Sequence, residues 1–589
     1  MPTKAFKTSS YSVKALLDEI DNHFIGLPDI QRPFVWKKSQ VRDLFDSMYK
    51  GYPVGFLLFW ETPYKSHAIG TGAKQNEFRR LVLDGQQRLT SLYAVVKNKE
   101  ILHKDFKQEY IKIAFNPQEK IFEVQDASHT KNRNFIADIS ILWQEGKSSW
   151  KVANEYVKKL GDVNEEKEES IRKAIDDLAS LPDTFNFMTI ELTGDIPEED
   201  AADIFVRVNS QGTSLTQADF ILTLMSVYRE DERTRLEEIC RDSYYPLQKG
   251  AASFYNEFIE LKPDQLLRVG VALGFNRARL RYVYLLLRGK DLATGKFSEA
   301  NRNRQFEIFK NAQDKVLDSK HWHDFLICLR SAGYRNKKMI SSNITLLFTY
   351  SLYLIGKTKH NVEEKVLRKF IAKWFFMACL TGKYITSPET KLEHDLNELV
   401  RVNNSQEFVN WLEHNLNIAL LDTYWSTTLP EQLARKATSN PILNAYEAAL
   451  VLLDTKVLFS NMKVADLLNS SIIKGRPMIE RHHLFPKAYL REQGITNTVD
   501  TNQIANFAYV EWHDNPKISD TPPVEYFPDQ LGKCEKAYSG IKEEGIAKML
   551  KDNALPENWQ KMEYGDFLKE RRKLMAQVIK KGYNSLNSL

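Results

Sequence analysis

The sequence predicts an α+β multidomain protein, and three observations carry that expectation. Short apolar runs flanked by turn residues alternate with helical stretches over residues 1–230. Apolar residues then recur at helical spacing almost without interruption over 231–465. Glycine, proline and histidine appear together over 466–589, where that pattern breaks. At 589 residues the chain is too long for one hydrophobic core, and about three to five structural units are expected.

In the first part, Ser10–Ile20 reads as a helix opened by a serine cap. Phe56–Trp60 and Leu81–Leu83 read as buried strands, and Leu89–Lys97 as a helix. Asp84-Gly85-Gln86-Gln87-Arg88 therefore falls between a strand and a helix. Ile111–Phe115 and Lys120–Val124 read as a hairpin, 145–180 as an exposed charged helical insertion, and Phe187–Glu191 as a strand. Asp200–Arg207 and Thr216–Tyr228 read as helices around a turn at Asn209–Ser214. The middle part reads as a bundle, with helices at Pro263–Leu273, Arg279–Leu287, Ile340–Ile355, Val362–Leu380 and Asn444–Phe459. A last helix spans about Tyr564–Lys581 and carries Lys569, Arg571, Arg572 and Lys573; it suits either a phosphate contact or a solvated face.

Composition bounds the class. Hydrophobic residues at 43% and charged residues at 27% are those of a folded globular protein, not a disordered one. A net charge of +5 permits a nucleic-acid partner without arguing for one. The four cysteines, Cys240, Cys328, Cys379 and Cys534, form no CxxC pair, which argues against a thiolate zinc site and fits a reducing cytoplasm. No stretch approaches ~20 uninterrupted apolar residues, so no membrane span is expected.

The densest chemistry is Glu480-Arg481-His482-His483-Leu484-Phe485-Pro486, followed by Asn502-Gln503-Ile504-Ala505-Asn506 and His513-Asp514-Asn515-Pro516. Phosphodiester hydrolysis asks for a base, a divalent cation and ligands for that cation. A neutral histidine takes a proton near pH 7. Carboxamide oxygens and an imidazole nitrogen can hold Mg²⁺ or Mn²⁺ and leave places for water and phosphate. The pattern resembles the HNH, or His-Me finger, nucleases. That resemblance implies a ββα-metal module over 466–589 with His483 as general base. It puts His482 in the adjacent metal-ligand place, where an acid is commoner, and Asn515 as second ligand. Asn506 would brace the loop or orient the base, and Glu480 or His513 would be further ligands.

Three segments stand out nearer the N-terminus: Pro28–Trp36, containing Gln31-Arg32 and Trp36; Asp84–Leu92; and Phe205–Gly212, containing Asn209. A glycine between strand and helix lets backbone N–H groups and the helix dipole face an anion. Arg88 can fork onto phosphate oxygens, Asp84 can hold a cation or the loop, and Gln86 and Gln87 suit a phosphate or base edge. The bland alternative is a tight turn with a buried Arg–Asp pair. No GxxxxGK[ST] segment exists, which excludes a P-loop. Phe34 is expected in the core, while Trp36 suits either core or base stacking.

Taken together, the three segments resemble the N-terminal domain of the GmrSD restriction proteins, which is similar to the ParB and sulfiredoxin folds. The resemblance continues through Leu266–Gly289, Trp374–Tyr384 and Glu480–Pro523. It implies a cytoplasmic anti-phage defence protein that binds modified DNA, bearing a glucosylated base or a phosphorothioate backbone. Asp84, Gly85, Gln86, Gln87, Arg88 and Asn209 would bind a nucleoside triphosphate, GTP ahead of ATP or CTP, and hydrolyse it. Gln31, Arg32 and Trp36 would sense DNA. The HNH module would nick or cut. Rival readings are a non-cleaving, nucleotide-dependent DNA reader and an NTPase acting on a protein partner; a homo-oligomer is left open.

Overall fold

The structure, a computed structural model, describes residues 6–26, 34, 36–61, 80–102, 108–161, 163–193, 204, 217–244, 253–291, 294–436, 440–469, 479–511, 520–537 and 543–589. The chain divides into two compact units, 1–235 and 236–589. Gln31, Arg32, Asn209, His513 and Asn515, and the Asp200–Arg207 helix apart from residue 204, lie outside the described residues.

The first unit is built on a five-stranded mixed sheet. Its strands are β1 (Phe6–Ser12), β2 (Ile25–Gly26), β3 (Leu57–Glu61), β4 (Arg80–Asp84) and β9 (Asn186–Leu192), in the order β1-β9-β3-β4-β2. Two short ladders intervene in sequence: β5 (Ile101–Leu102) with β6 (Gln108–Glu109), and β7 (Ile113–Asn116) with β8 (Ile121–Val124). Helices α1 (Val13–Asp21), α2 (Lys38–Tyr49) and α3 (Gln86–Val96) each bury one stripe. Leu16, Leu17, Val41, Phe45, Leu89 and Leu92 pack in one core with Leu57, Phe59 and Val82 of the sheet. The helix expected from Ser10 begins instead at Val13, capped by Ser12. Ser10 and Tyr11 are drawn into β1 because β9 pairs with them, at Met188 and Phe187. A long-range ladder has overridden a local signal.

Beside β8, His129 is a buried imidazole lying 2.8 Å from Glu123 and 2.8 Å from Asp126. Burial pulls its pKa down, but the bonds to the two carboxylates outweigh burial and raise it overall. The raised value means that the stability it confers is complete below the unfolded pKa of about 6.5 and is lost as pH rises through the folded value. Replacing His129 by Gln is expected to lower the melting temperature more at pH 6 than at pH 9. An equal loss at both would refute the ionic role.

Among the described residues of the second unit, the long elements are helices and the one strand pair is a hairpin. Trp374, Phe375 and Phe376 of Glu364–Thr381 are fully buried, as an apolar run inside a bundle requires. The helix expected over Asn444–Phe459 is Pro441–Leu452. Beyond Asp454, which has φ +54°, the chain leaves the helix, and Leu458 N–H donates to the Tyr509 carbonyl at 3.1 Å. Pro441–Leu452 also packs on the last helix, Tyr564–Ser585, so the expected bundle and C-terminal module share one unit. Among the described residues no helix is long and apolar enough to cross a membrane.

Candidate functional site

The first motif cluster forms a strand–glycine–helix turn. β4 ends at Asp84, Gly85 adopts φ +94°, and α3 begins at Gln86. Glycine is required there twice over. The left-handed backbone disfavours a side chain, and a Cβ would sit 2.2 Å from Leu57 Cδ2. Arg88 is turned inward: Nη1 donates to the Val54 carbonyl at 2.6 Å and Nη2 to Asp84 Oδ2 at 3.2 Å. Its side chain is only 15% exposed, and burial lowers its pKa against the opposing pull of Asp84. The guanidinium therefore braces the turn from inside. Gly55, at φ +88°, makes room for it, since a Cβ there would meet Nη1 at 2.2 Å.

The first and second motifs meet. Trp36 N–H donates to Gln87 Oε1 at 3.4 Å, across 51 positions in sequence. Phe34 is buried in the core as expected, and Trp36 is half-buried against it. That contact places the end of the Gln31–Trp36 segment at the start of α3.

In the second unit, β10 (Ile479–His483) pairs antiparallel with β11 (Phe507–Glu511), placing His482 opposite Ala508 and His483 opposite Phe507. Side chains alternate across a strand, so the two histidines face opposite sides. His482 is buried, with its ring edge-on to Tyr526 (5.6 Å, 88°) in the helix Pro523–Ala537. The Tyr526 hydroxyl donates to the Leu484 carbonyl at 2.7 Å, fastening this helix to the chain just after β10. Hairpin and helix thus follow in ββα order.

His483 is half-buried, its ring centroid 4.3 Å from that of Phe507. Its Nε2 lies 3.1 Å from Asn502 Oδ1. Asn502 Nδ2 donates to the Thr498 carbonyl at 3.0 Å, which fixes the amide with its oxygen toward the imidazole. A neutral His483 therefore carries its proton on Nε2 and keeps the Nδ1 lone pair for accepting one. Burial lowers its pKa and Lys487 adds to that, against the bond from Asn502. That shift favours the neutral ring.

Asn506 is fully buried, and its amide is committed to backbone. Oδ1 accepts from Phe485 N–H at 2.9 Å, and Nδ2 donates to the carbonyls of Phe485 (3.1 Å) and Thr501 (3.0 Å). These bonds tie Asn506 to the backbone around the loop, and the amide that meets the His483 ring is that of Asn502. Sequence reasoning assigned Asn502 no role, although it stands four positions before Asn506 in the same quoted run. It also missed Tyr526 and Glu447, a buried carboxylate reached by the Tyr509 hydroxyl and, at 3.4 Å, by Arg481 Nη2. The basic final helix is corrected in part. Arg571 is fully buried, donating to the carbonyls of Ala505 (2.6 Å) and Asn553 (3.5 Å), and Arg572 donates to Gln503 Oε1 at 3.0 Å. Both arginines hold the loop that carries Asn506.

Against this geometry stand two comparisons with known proteins. Residues 13–226 match the GmrSD restriction endonuclease N-terminal domain. The match begins after β1 and takes in the other four strands of the sheet, α1 to α3 and the Asp84–Arg88 turn, and it supports a likeness to GmrSD restriction proteins over that part of the chain. The chain is also similar to the uncharacterized protein MJ0686 of Methanocaldococcus jannaschii, 22% identical over 97% of this chain and 99% of the relative. That alignment runs past residues 13–226 through the second unit.

Proposed function

We propose that the protein is a modification-dependent DNA endonuclease of anti-phage defence, with an HNH-type site on the β10–β11 hairpin governed by nucleotide in the GmrSD domain. The observation that carries this reading is His483: a neutral, oriented imidazole at a strand end, with Nδ1 left as acceptor. In the proposed reaction a water gives its proton to His483 Nδ1. The resulting hydroxide forms a bond to phosphorus, and the bond from phosphorus to the 3′ oxygen breaks. Asn502 keeps the ring in place, and Asn506 keeps the loop after β10 against it.

By resemblance His482, the neighbour of His483 in sequence but on the other face of β10, would be a ligand for a divalent cation, with Asn515 as the second. Mg²⁺ or Mn²⁺ bound there supplies charge stabilisation for the leaving oxygen. In the GmrSD domain, a nucleoside triphosphate, GTP before ATP or CTP, would meet the α3 N-terminus at Gly85, with Asp84, Gln86, Gln87 and Asn209 around it. Arg88 supports that site by holding the turn.

Plasmid relaxation tests the reading. The wild type is expected to cut modified DNA with Mg²⁺ or Mn²⁺, to be silenced by EDTA, and to respond to GTP. Cutting that persists in EDTA, or no cutting of DNA carrying either a glucosylated base or a phosphorothioate backbone, would overturn it. For the nucleotide, Arg88→Ala leaves Asp84 and the Val54 carbonyl without their partner. Leaving such groups unpaired costs about 1–3 kcal/mol, enough to loosen the turn. Triphosphate affinity is expected to fall about tenfold or more, a loss of ~1.4 kcal/mol or more, by isothermal titration. Unchanged affinity would remove the site from this turn.

A further inference from the structure

The turn between two helices of the second unit, Pro263–Phe275 and Leu280–Leu287, carries Arg277 and Arg279, and Arg281 follows in the first turn of the second helix. Three cations so close repel one another unless the turn is fixed. Glu393, buried on the helix Pro388–Leu399, fixes it. Its carboxylate accepts from Arg277 Nη1 at 2.7 Å and from the backbone N–H groups of Ala278 (2.6 Å) and Arg279 (3.1 Å). From the other side, Lys359 Nζ donates to Asn276 Oδ1 at 2.9 Å, where Asn276 ends the first helix at φ +50°.

The clamp uses one guanidinium and leaves the others. Among the described residues no carboxylate lies within ion-pair distance of Arg279 or Arg281. The Arg277 and Arg281 guanidiniums lie 5.6 and 5.1 Å from the centroid of the Tyr282 ring. A cleft of about 590 Å³ opens beside the turn, lined by Arg277, Arg279, Tyr282, Thr390, His394 and Asn397 together with the clamping carboxylate.

We propose that this clamped turn is a docking site for the phosphodiester backbone of DNA, with Arg279 and Arg281 pairing to separate phosphates. The proposal rests on the reading that the protein acts on DNA, and it places a contact on elements other than the His483 hairpin. Guanidinium forks match phosphate oxygens, and a turn already ordered by Glu393 has little freedom left to lose on binding. The spread of charge favours a polyanion over a free phosphate. Arg279 lines the cleft, whereas Arg281 is exposed and is not part of its lining, so the charge extends past one pocket.

Fluorescence anisotropy of the full chain with a labelled duplex, in EDTA and over 50–200 mM salt, tests this separately from cutting. Arg279→Ala/Arg281→Ala is expected to bind about tenfold or more weakly at low salt, with a salt slope smaller by about 2, because two phosphate contacts release fewer counterions. Arg279→Lys/Arg281→Lys keeps the charges and is expected to recover the slope, which a merely structural role would not. Unchanged affinity and slope in the alanine pair would overturn the proposal, whatever the plasmid assay gives. So would competition by millimolar inorganic phosphate at constant ionic strength, which would mark a small-anion site.

Discussion

Replacing His483 by Ala is expected to slow metal-dependent relaxation of susceptible plasmid about 10²–10⁴-fold, the range that a positioned general base contributes. The geometry makes this a clean test. His483 sits at the end of β10, half-buried, with Nε2 at 3.1 Å from the Asn502 amide oxygen. Truncation therefore removes a ring from a partly open place and one hydrogen bond of ordinary strength, worth about 1 kcal/mol. Circular dichroism and the melting temperature should change little. Undiminished relaxation by the variant would sink the assignment of the base. Asn502→Ala gives a graded companion: the imidazole stays but loses the partner that selects its tautomer. A smaller loss in rate is expected, with substrate affinity unchanged.

Asn506→Ala carries the second large effect, and it falls on stability first. The substitution strips three buried backbone groups of their partners: the Phe485 N–H and the carbonyls of Phe485 and Thr501. Each buried group left unpaired costs about 1–3 kcal/mol, so a loss of about 3 kcal/mol or more is expected. The loop after β10 would also relax, and relaxation of plasmid would fall with it. Asn506→Asp keeps the acceptor toward Phe485 N–H but sets a second carboxylate oxygen against the two carbonyls in a buried place, so it should be at least as destabilising as alanine. Urea unfolding of the three proteins checks the order. Equal midpoints for wild type and Asn506→Ala would mean that Asn506 is no brace. A stable, inactive Asn506→Ala would point instead to a direct role in the chemistry.

Much of the local architecture was legible in the chain. The Asp84–Arg88 segment reads as strand, glycine and helix because an apolar triplet precedes a glycine and an amphipathic run follows. Those local features do decide the backbone. Phe34 reads as core because an aromatic without a polar partner is most stable out of water.

What failed to read off the chain depended on distant partners. Ser10 looks as good a helix cap as Ser12, and only pairing with β9 separates them. Asn444–Phe459 keeps its apolar character past Leu452, yet the chain leaves the helix and Leu458 bonds to Tyr509. Arg571 and Lys573 sit two positions apart on one helix. One is sealed against the Ala505 and Asn553 carbonyls, and the other pairs with Glu570 at its surface.

The sequence by itself singled out residues of a kind that chemistry uses: the glycine turn at 85, the paired histidines at 482 and 483, and the amide at 506. It did so because residue type and spacing along one strand or turn are local properties. Only the tertiary structure decided what those groups do. It turned Arg88 inward onto Asp84 and Val54, gave Asn502 rather than Asn506 to the imidazole, and set Glu393 under the arginines of the 277–281 turn. A hydrogen-bonding group takes its role from the partner that reaches it when both leave water, and that partner is chosen by packing across the fold.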